Sequence, residues 1–178
     1  MKKILFLLVL TCINVSAQNK YLTKTGSIRF EASVPSFEEV AAKNNSVTAI
    51  INTENGEIAA LALVKGFRFK NALMEEHFNE NYAESDQFPK AVFKGKIENF
   101  NLDKIKASYT INGELTFHGK TKVIENISVF ISTEKGLIKL SGTFTLKASD
   151  FDIDIPKIVS NKISEAIEVS FQFELEQK

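Results

Sequence analysis

Apolar and polar residues alternate strictly over residues 105–118, the clearest such stretch in the chain. A period of two sends successive side chains to opposite faces of a strand, whereas a helix would scatter the same residues around its circumference. The pattern predicts a long strand with one buried and one solvated face. Its apolar members are Ile105, Ala107, Tyr109, Ile111, Gly113, Leu115 and Phe117.

The same alternation recurs in stretches 27–34, 91–98, 138–146 and 167–175, which is typical of antiparallel strands. Turn-forming pairs separate the strands, namely Asn55-Gly56, His118-Gly119 and Lys135-Gly136. Counting gives about eight strands in an all-β fold. Strands this long with one apolar face either close into a barrel or stack as a sandwich. Closure removes exposed edges, and eight strands leave room for packed side chains or one small ligand.

Two stretches break the alternation and predict helices. Ser36 with Glu39 three residues later forms a capping-box pattern, which predicts a short helix ending near Asn44. The second stretch, residues 71–82, places Met74, Phe78 and Tyr82 four residues apart on one stripe. We expect this second helix to cover the mouth of the barrel with its apolar face.

The first residues have the features of a secretory signal peptide: Lys2 and Lys3, an apolar run over 4–10, and small residues before a cleavage site after Ala17. This predicts an exported chain whose single domain is 18–178. The apolar run is much shorter than the roughly 20 residues that span a bilayer, so no stable membrane anchor is expected. Lipid attachment at Cys12 is the alternative, but lipoprotein signals favour Gly or Ala where Thr11 stands.

Composition narrows the function further. Lys+Arg and Asp+Glu each number 22, and loss of Lys2 and Lys3 gives 20 − 22 = −2. The chain as a whole therefore has no field that would attract nucleic acid or an anionic membrane, and no nucleic-acid partner is expected. Cys12 is the single cysteine, so the mature chain is predicted to have no disulfide and no thiolate metal site. The chain has 15 Phe and no Trp. Such a composition predicts either a Phe-rich core or an apolar cavity.

Catalytic and metal-binding chemistry have little support. His118 at a hairpin is expected to be a surface imidazole, and His77 with Glu80 provides two ligands, too few for a tight metal site. The alternating carboxylates that begin at Asp150 lack the Gly and closing Glu of a calcium loop. We therefore expect no enzyme, no metal and no cofactor.

Two motifs resemble the YceI-like family. The first is His77-Phe78-Asn79-Glu80-Asn81-Tyr82-x-Glu84-Ser85, followed by Phe88-Pro89-Lys90-Ala91-x-Phe93-Lys94-Gly95-Lys96-Ile97. The second is Gly113-Glu114-Leu115-Thr116-Phe117-His118-Gly119-Lys120-Thr121-Lys122. The resemblance implies a lipocalin-like, eight-stranded antiparallel barrel with a short capping helix, located in the bacterial periplasm and binding polyisoprenoid chains.

An isoprenoid tail offers apolar surface alone, and its transfer out of water is worth about 25 cal/mol per Å². Each candidate ligand-binding residue lies either at an apolar position of the strand alternation, which is expected to face inward, or on the apolar stripe of the second helix. They are Phe30, Phe67, Phe69, Phe78, Phe93, Tyr109, Leu115, Phe117, Phe144 and Phe171. The alternative is that these rings fill the barrel, which then acts through its outer surface as an interaction or stress-related protein. A homodimer through an outer strand face is a further possibility.

Overall fold

The structure, a computed structural model, describes residues 19–35 and 37–178. The expected signal peptide 1–17, Cys12 and Ser36 lie outside these residues. The strands of the described chain are β1 Lys20–Ser33, β2 Ala41–Asn52, β3 Glu57–Leu63, β4 Arg68–Phe69, β5 Lys90–Ile97, β6 Ser108–Phe117, β7 Lys120–Glu134, β8 Leu137–Lys147 and β9 Ile163–Gln177. A helix α1, Ala72–His77, continues into a π-helical turn, Phe78–Tyr82, and short 3₁₀ turns cover Val64–Gly66, Leu102–Lys104 and Ala148–Phe151.

Eight of the described strands close into an antiparallel barrel, and the two-residue β4 adds to one end of β2. The strand order is β1-β9-β8-β7-β6-β5-β3-β2, and β1 pairs with β2 to complete the circle. Strands adjacent in sequence are mostly adjacent in the barrel, as expected for hairpin connections. The predicted eight-stranded antiparallel barrel with one short helix is confirmed.

The predicted hairpin turns are present. His118 and Gly119 connect β6 to β7 with φ values of 48° and 71°, and Lys135 and Gly136 connect β7 to β8 with φ values of 52° and 82°. Positive φ at both turn residues gives a two-residue connection whose twist matches that of the flanking strands. Gly56, with φ of 76°, lies in the connection between β2 and β3.

The strand predicted over 105–118 is shorter in the structure, where β6 begins at Ser108. The backbone N–H of Lys106 donates to the hydroxyl of Tyr109 at 2.9 Å and so bonds to a side chain and not to a neighbouring strand. The alternation within β6 is as predicted, since Tyr109 and Ile111 are buried while Glu114 is exposed.

The helix predicted from Ser36 to Asn44 is wrong for the part that the structure describes. Residues 38–40 have no regular structure, and β2 begins at Ala41. Asn44 is 1% exposed. Its buried amide is satisfied, since it donates to the carbonyl of Leu63 at 3.0 Å and accepts from the N–H of Ser46 at 2.8 Å. These bonds stabilise a bulge in the β1–β2 ladder, where a three-residue step on β2 faces a two-residue step on β1.

The barrel interior differs between its two ends. The end near the β2–β3 and β7–β8 turns is filled by fully buried aliphatic side chains, including Ile51, Ile97, Ile138 and Leu175. We call this half the packed half. The other end of the barrel lies beside α1. The side chains that the strands direct inward at this end are large but only partly buried. The candidate site lies in this second half.

Candidate functional site

A cavity of about 400 Å³ occupies the second half of the barrel and opens beside α1. This volume lies within the roughly 300–1,000 Å³ range of small-molecule sites. Its deep end is lined by Ile58, Ile111, Ile127 and Phe173, which are buried and also belong to the packed half. The barrel is therefore hollow from its mouth down to this layer and filled below it.

Glycines allow two rings to lie against the barrel wall. A Cβ added at Gly26 would lie 2.6 Å from Cδ1 of Phe173, and one added at Gly142 would lie 2.7 Å from Cζ of Phe171. Both distances are shorter than van der Waals contact, so no larger residue fits with the rings where they are. The two rings stack on each other with centroids 5.3 Å apart. Because glycine has no side chain, the two rings can lie against the wall and leave the middle of the barrel open.

Four phenylalanines form an aromatic cluster on one side of the cavity. Phe30 of β1 lies 5.2 Å from Phe78 and 5.3 Å from Phe67, measured between ring centroids, and Phe69 lies 5.3 Å from Phe78. The rings are tilted or edge-to-face, which are favourable arrangements for aromatic pairs. All four line the cavity, so the cluster offers a purely apolar surface to an occupant.

The helix beside the mouth is fixed by hydrogen bonds to β4. The side chain of Asn71 accepts from the N–H of Leu73 at 2.9 Å and so caps the first turn of α1. Glu75 accepts from Arg68 at 2.7 Å and from the N–H of Phe69 at 3.1 Å. These bonds place Met74 at the cavity, and the π-helical turn that follows adds Phe78 and Tyr82. The predicted stripe is therefore confirmed as the face turned toward the interior.

His118 ties together two segments that border the cavity. Its Nδ1 lies 2.9 Å from the carbonyl of Phe151, and its Nε2 lies 3.0 Å from a carboxylate oxygen of Glu84. Its ring also packs edge-on against Phe88. The side chain is 13% exposed, so the expectation of a surface imidazole was wrong. The positive φ of His118 turns its side chain toward these partners, an effect that strand parity does not indicate.

Charged residues surround the mouth on its outer side. Arg29 donates to Glu31 at 2.6 Å and to Glu39 at 2.8 Å, and Lys70 also contacts Glu39. The hydrogen bond from Arg29 holds the pKa of Glu31 below its ordinary value, and the bonds from Lys70 and Arg29 do the same for Glu39. The pKa of Arg29 is raised, chiefly by its bond to Glu31. This network joins β1 to the segment before β2, through Glu39, and to the residue after β4, through Lys70.

All the sequence-predicted ligand residues except Tyr109 line the cavity. Tyr109 points inward as predicted, but it lies in the packed half, where its ring packs 5.7 Å from that of Phe100 and its hydroxyl accepts from Lys106. Alternation identifies the inward face of a strand and does not give depth along the barrel axis. Whether the lining residues bind a ligand stays a prediction.

Sequence reasoning missed several lining residues. Ala60 and Ala62 line the cavity from β3, and small side chains gave no reason to select them. The segment after β8 contributes Phe151, Ile153 and Ile155. They alternate with the carboxylates that begin at Asp150, which sequence reasoning considered for calcium binding. The omission lay in not connecting that loop with the cavity.

The groups considered for metal binding are dispersed. His77 is exposed on α1, at the edge of the cavity. Asp152 pairs with Lys120 at 2.6 Å, and Asp150 lies 3.8 Å from Lys122. Within 19–35 and 37–178, no group of three or more His, Cys, Asp or Glu side chains is arranged to hold a metal ion. The same residues include no helix long and apolar enough to cross a membrane.

The YceI-like domain model matches residues 20–175, which is nearly the whole described chain. The chain belongs to the YceI-like family. The match includes every strand of the barrel except the last residues of β9, as well as the helix beside the mouth. A search of curated proteins gave no significant match.

Solved structures share the YceI-like barrel at low sequence identity. A polyisoprenoid-binding domain from Saccharophagus degradans, implicated in plant cell wall breakdown, has a TM-score of 0.76 and 15% identity, covering 90% of this chain and 99% of that domain. Burkholderia cenocepacia BcnA has a TM-score of 0.70 and 14% identity, covering 84% and 95%. The Campylobacter jejuni YceI protein has a TM-score of 0.60 and 18% identity, covering 75% and 81%. These likenesses establish the shared fold.

Proposed function

We propose that this protein is exported to the bacterial periplasm and binds an apolar, isoprenoid-type lipid inside its barrel without catalysing a reaction. The ligand class is a polyprenyl or quinone-like chain. The observation that carries the proposal is the cavity of about 400 Å³, which is open at one end and lined almost entirely by apolar side chains. Family membership and the polyisoprenoid-binding neighbour support the same ligand class.

The physical match is between a branched hydrocarbon chain and a wall of aromatic and aliphatic side chains. Each buried CH₂ group contributes about 0.8 kcal/mol, and an isoprenoid needs no polar partner along its length. The aromatic cluster of Phe30, Phe67, Phe69 and Phe78 supplies such a wall near the mouth. The rings of Phe173 and Phe171 lie against Gly26 and Gly142 at the barrel wall and leave the middle open, so an isoprenoid chain can enter without displacing them.

The histidines support a binding role over a catalytic one. Both ring nitrogens of His118 are engaged with Glu84 and with the backbone of Phe151, which leaves no nitrogen free to act as a base. His77 is exposed at the edge of the cavity, and among the described residues no hydrogen bond or ion pair joins it to a serine or a carboxylate. The solid-barrel alternative is disfavoured by the cavity itself.

The deciding experiment is native mass spectrometry of the protein purified from its own cell envelope, followed by organic extraction. We expect a bound species that is released by solvent and belongs to a series spaced by isoprene units. A homogeneous mass equal to that of the chain after removal of 1–17, with no extractable lipid, would contradict the proposal. That result would favour a barrel that acts through its outer surface. The same mass also tests cleavage after Ala17 against lipid attachment at Cys12.

A further inference from the structure

Three exposed apolar side chains stand around the mouth of the cavity. Among the described residues, Phe37, Leu73 and Ile158 are large apolar residues that are 46%, 55% and 86% exposed. We call these three residues the apolar rim. They lie respectively between β1 and β2, on α1, and just before β9, and each of these segments also lines the cavity from inside.

The three segments are neighbours at the open end of the barrel. Ser33, at the end of β1, pairs with Ile163, at the start of β9, so the segments carrying Phe37 and Ile158 leave the sheet side by side. The side-chain amide of Asn71, which caps α1, donates to Glu38 at 3.4 Å. The rim residues therefore belong to one face of the molecule. Single exposed apolar residues are ordinary, but a group of them around the entrance of an apolar cavity is not explained by chance exposure.

Ile158 lies at the tip of a turn. The N–H of Val159 donates to the carbonyl of Pro156 at 2.9 Å, which places Lys157 and Ile158 at the two central positions. Such positions favour Gly, Asn, Asp or Ser. Val159 and Ile155 beside them are half-buried and line the cavity, whereas Ile158 points into solvent and does not line it. The turn therefore presents an apolar residue outward next to the cavity entrance.

The turn and the residues up to the start of β9 carry two positive charges, with Asp154 just before them and Glu165 just after them. Residues 155–163 contain Lys157 and Lys162 and no acidic residue, and both lysines are exposed. In the described part of the chain neither lysine forms an ion pair, and Glu39, on the neighbouring segment that carries Phe37, is paired with Arg29 and Lys70. An exposed apolar tip flanked by cations suits the surface of an anionic phospholipid bilayer, which attracts lysine and accepts an apolar side chain.

We propose that the protein docks reversibly on an anionic phospholipid bilayer through the turn 156–159 and the apolar rim, with the cavity mouth facing the lipid. This inference rests on the proposed lipid-binding function for its purpose. A lipid that moves between bilayer and cavity then passes from one apolar surface to another without crossing water. The small apolar area of the rim makes the contact transient, in contrast to a spanning segment.

The test is flotation of the lipid-free protein with vesicles of phosphatidylethanolamine and phosphatidylglycerol, compared with vesicles of phosphatidylcholine alone. We expect binding to the anionic vesicles that falls about tenfold or more in Ile158→Asp, because the variant removes the side chain that would enter the bilayer and adds a charge that the anionic lipids repel. Lys157→Gln should weaken binding to the anionic vesicles and leave binding to the phosphatidylcholine vesicles unchanged. The matched control is Phe130→Asp, a 63% exposed residue on the outer face of β7 near the packed half. This control should bind as the wild type does.

Three outcomes would overturn the docking proposal: no binding of the wild type to anionic vesicles, no loss in Ile158→Asp, or an equal loss in Phe130→Asp. A second copy of the chain as the occupant of the rim would appear as a concentration-dependent dimer that Ile158→Asp abolishes, without vesicle binding, and would overturn it too. Extraction of each variant separates the two proposals. If the protein binds vesicles but yields no extractable lipid, the proposed function is contradicted and the docking is not. If it yields lipid but does not bind vesicles, the docking is contradicted and the proposed function is not.

Discussion

His118 and Glu84 connect two distant parts of the chain, since Nε2 of the imidazole lies 3.0 Å from a carboxylate oxygen of Glu84. The other ring nitrogen bonds to the backbone of Phe151 at 2.9 Å. One side chain thus joins the β6–β7 hairpin both to the chain after the π-helical turn and to the 3₁₀ turn after β8. A carbonyl and a carboxylate are both acceptors, so both bonds exist together when both ring nitrogens carry protons.

His118→Ala should lower the free energy of unfolding by about 1–3 kcal/mol, because it removes both bonds and leaves the carbonyl of Phe151 without this donor. Amide hydrogen exchange should accelerate around Glu84 and Phe151 while exchange in the packed half is unchanged. The matched control is His77→Ala, which replaces the other, exposed histidine and should change the free energy by less than about 0.5 kcal/mol. Equal effects of the two substitutions would show that the hydrogen bonds of His118 add nothing to the free energy of unfolding.

Filling the cavity should reduce lipid binding. Ala60 points into the cavity and Ala59, the preceding residue of β3, points outward. Ala60→Phe should weaken the binding of a prenylated quinone by about tenfold or more, about 1.4 kcal/mol, since the added ring occupies lumen that the ligand needs. Ala59→Phe adds the same ring outside the barrel and should bind as the wild type does. Binding can be followed by ligand-dependent thermal stabilisation, and equal affinities for the two variants would place the ligand elsewhere.

The close approach of Gly26 and Phe173 should appear as energetic coupling. Gly26→Ala should cost about 1–3 kcal/mol of stability, because the new methyl group collides with the ring. In a Phe173→Val background the same change should cost less, since valine has no δ carbon to occupy the position 2.6 Å from the new Cβ. Urea denaturation of the four proteins gives the coupling energy, which we expect to exceed about 0.5 kcal/mol. Additive costs would mean that the ring does not occupy the space above Gly26.

Acid should weaken the network around Arg29. Folding lowers the pKa of Glu31 and of Glu39, so their pairing stabilises the folded state at neutral pH and is lost as the pH falls through the folded-state pKa values. Arg29→Gln should therefore lower the Tm at neutral pH, and its difference from the wild type should shrink in acid. A difference that stays constant with pH would mean that the network contributes nothing through these carboxylates. Lys65→Gln, which removes a fully solvated pair with Asp86, should show a small difference throughout.

Particular residues show how far the sequence predicts this fold. The alternation in β6 and the stripe of Met74, Phe78 and Tyr82 identify inward faces, because each depends on a local period that the structure keeps. Tyr109 shows the limit: its face is predicted correctly, but its depth depends on how β6 is staggered against its neighbours. Stagger is a property of the whole barrel, so no single strand encodes it.

The failed helix after Val34 has a different cause. The spacing of Ser36 and Glu39 fits a capping box, but Glu39 is drawn to Arg29 and Lys70, and the residues that follow pair with β1 and β4. Non-local pairing outweighs a local preference worth about 1 kcal/mol. The role of His118 was missed for a related reason, since its partners at Glu84 and Phe151 are both more than 30 residues away.

The division of the barrel into a packed half and a hollow half separates two kinds of selective pressure. Ile51, Ile97, Ile138 and Leu175 hold the strands together at one end, where no ligand reaches them. Around the mouth this demand is weaker, since many of the lining residues are only partly buried. Substitutions there should be able to accumulate without unfolding the chain. A lineage built on this scaffold could therefore acquire new ligands by changing one end of the molecule while the other end keeps the fold.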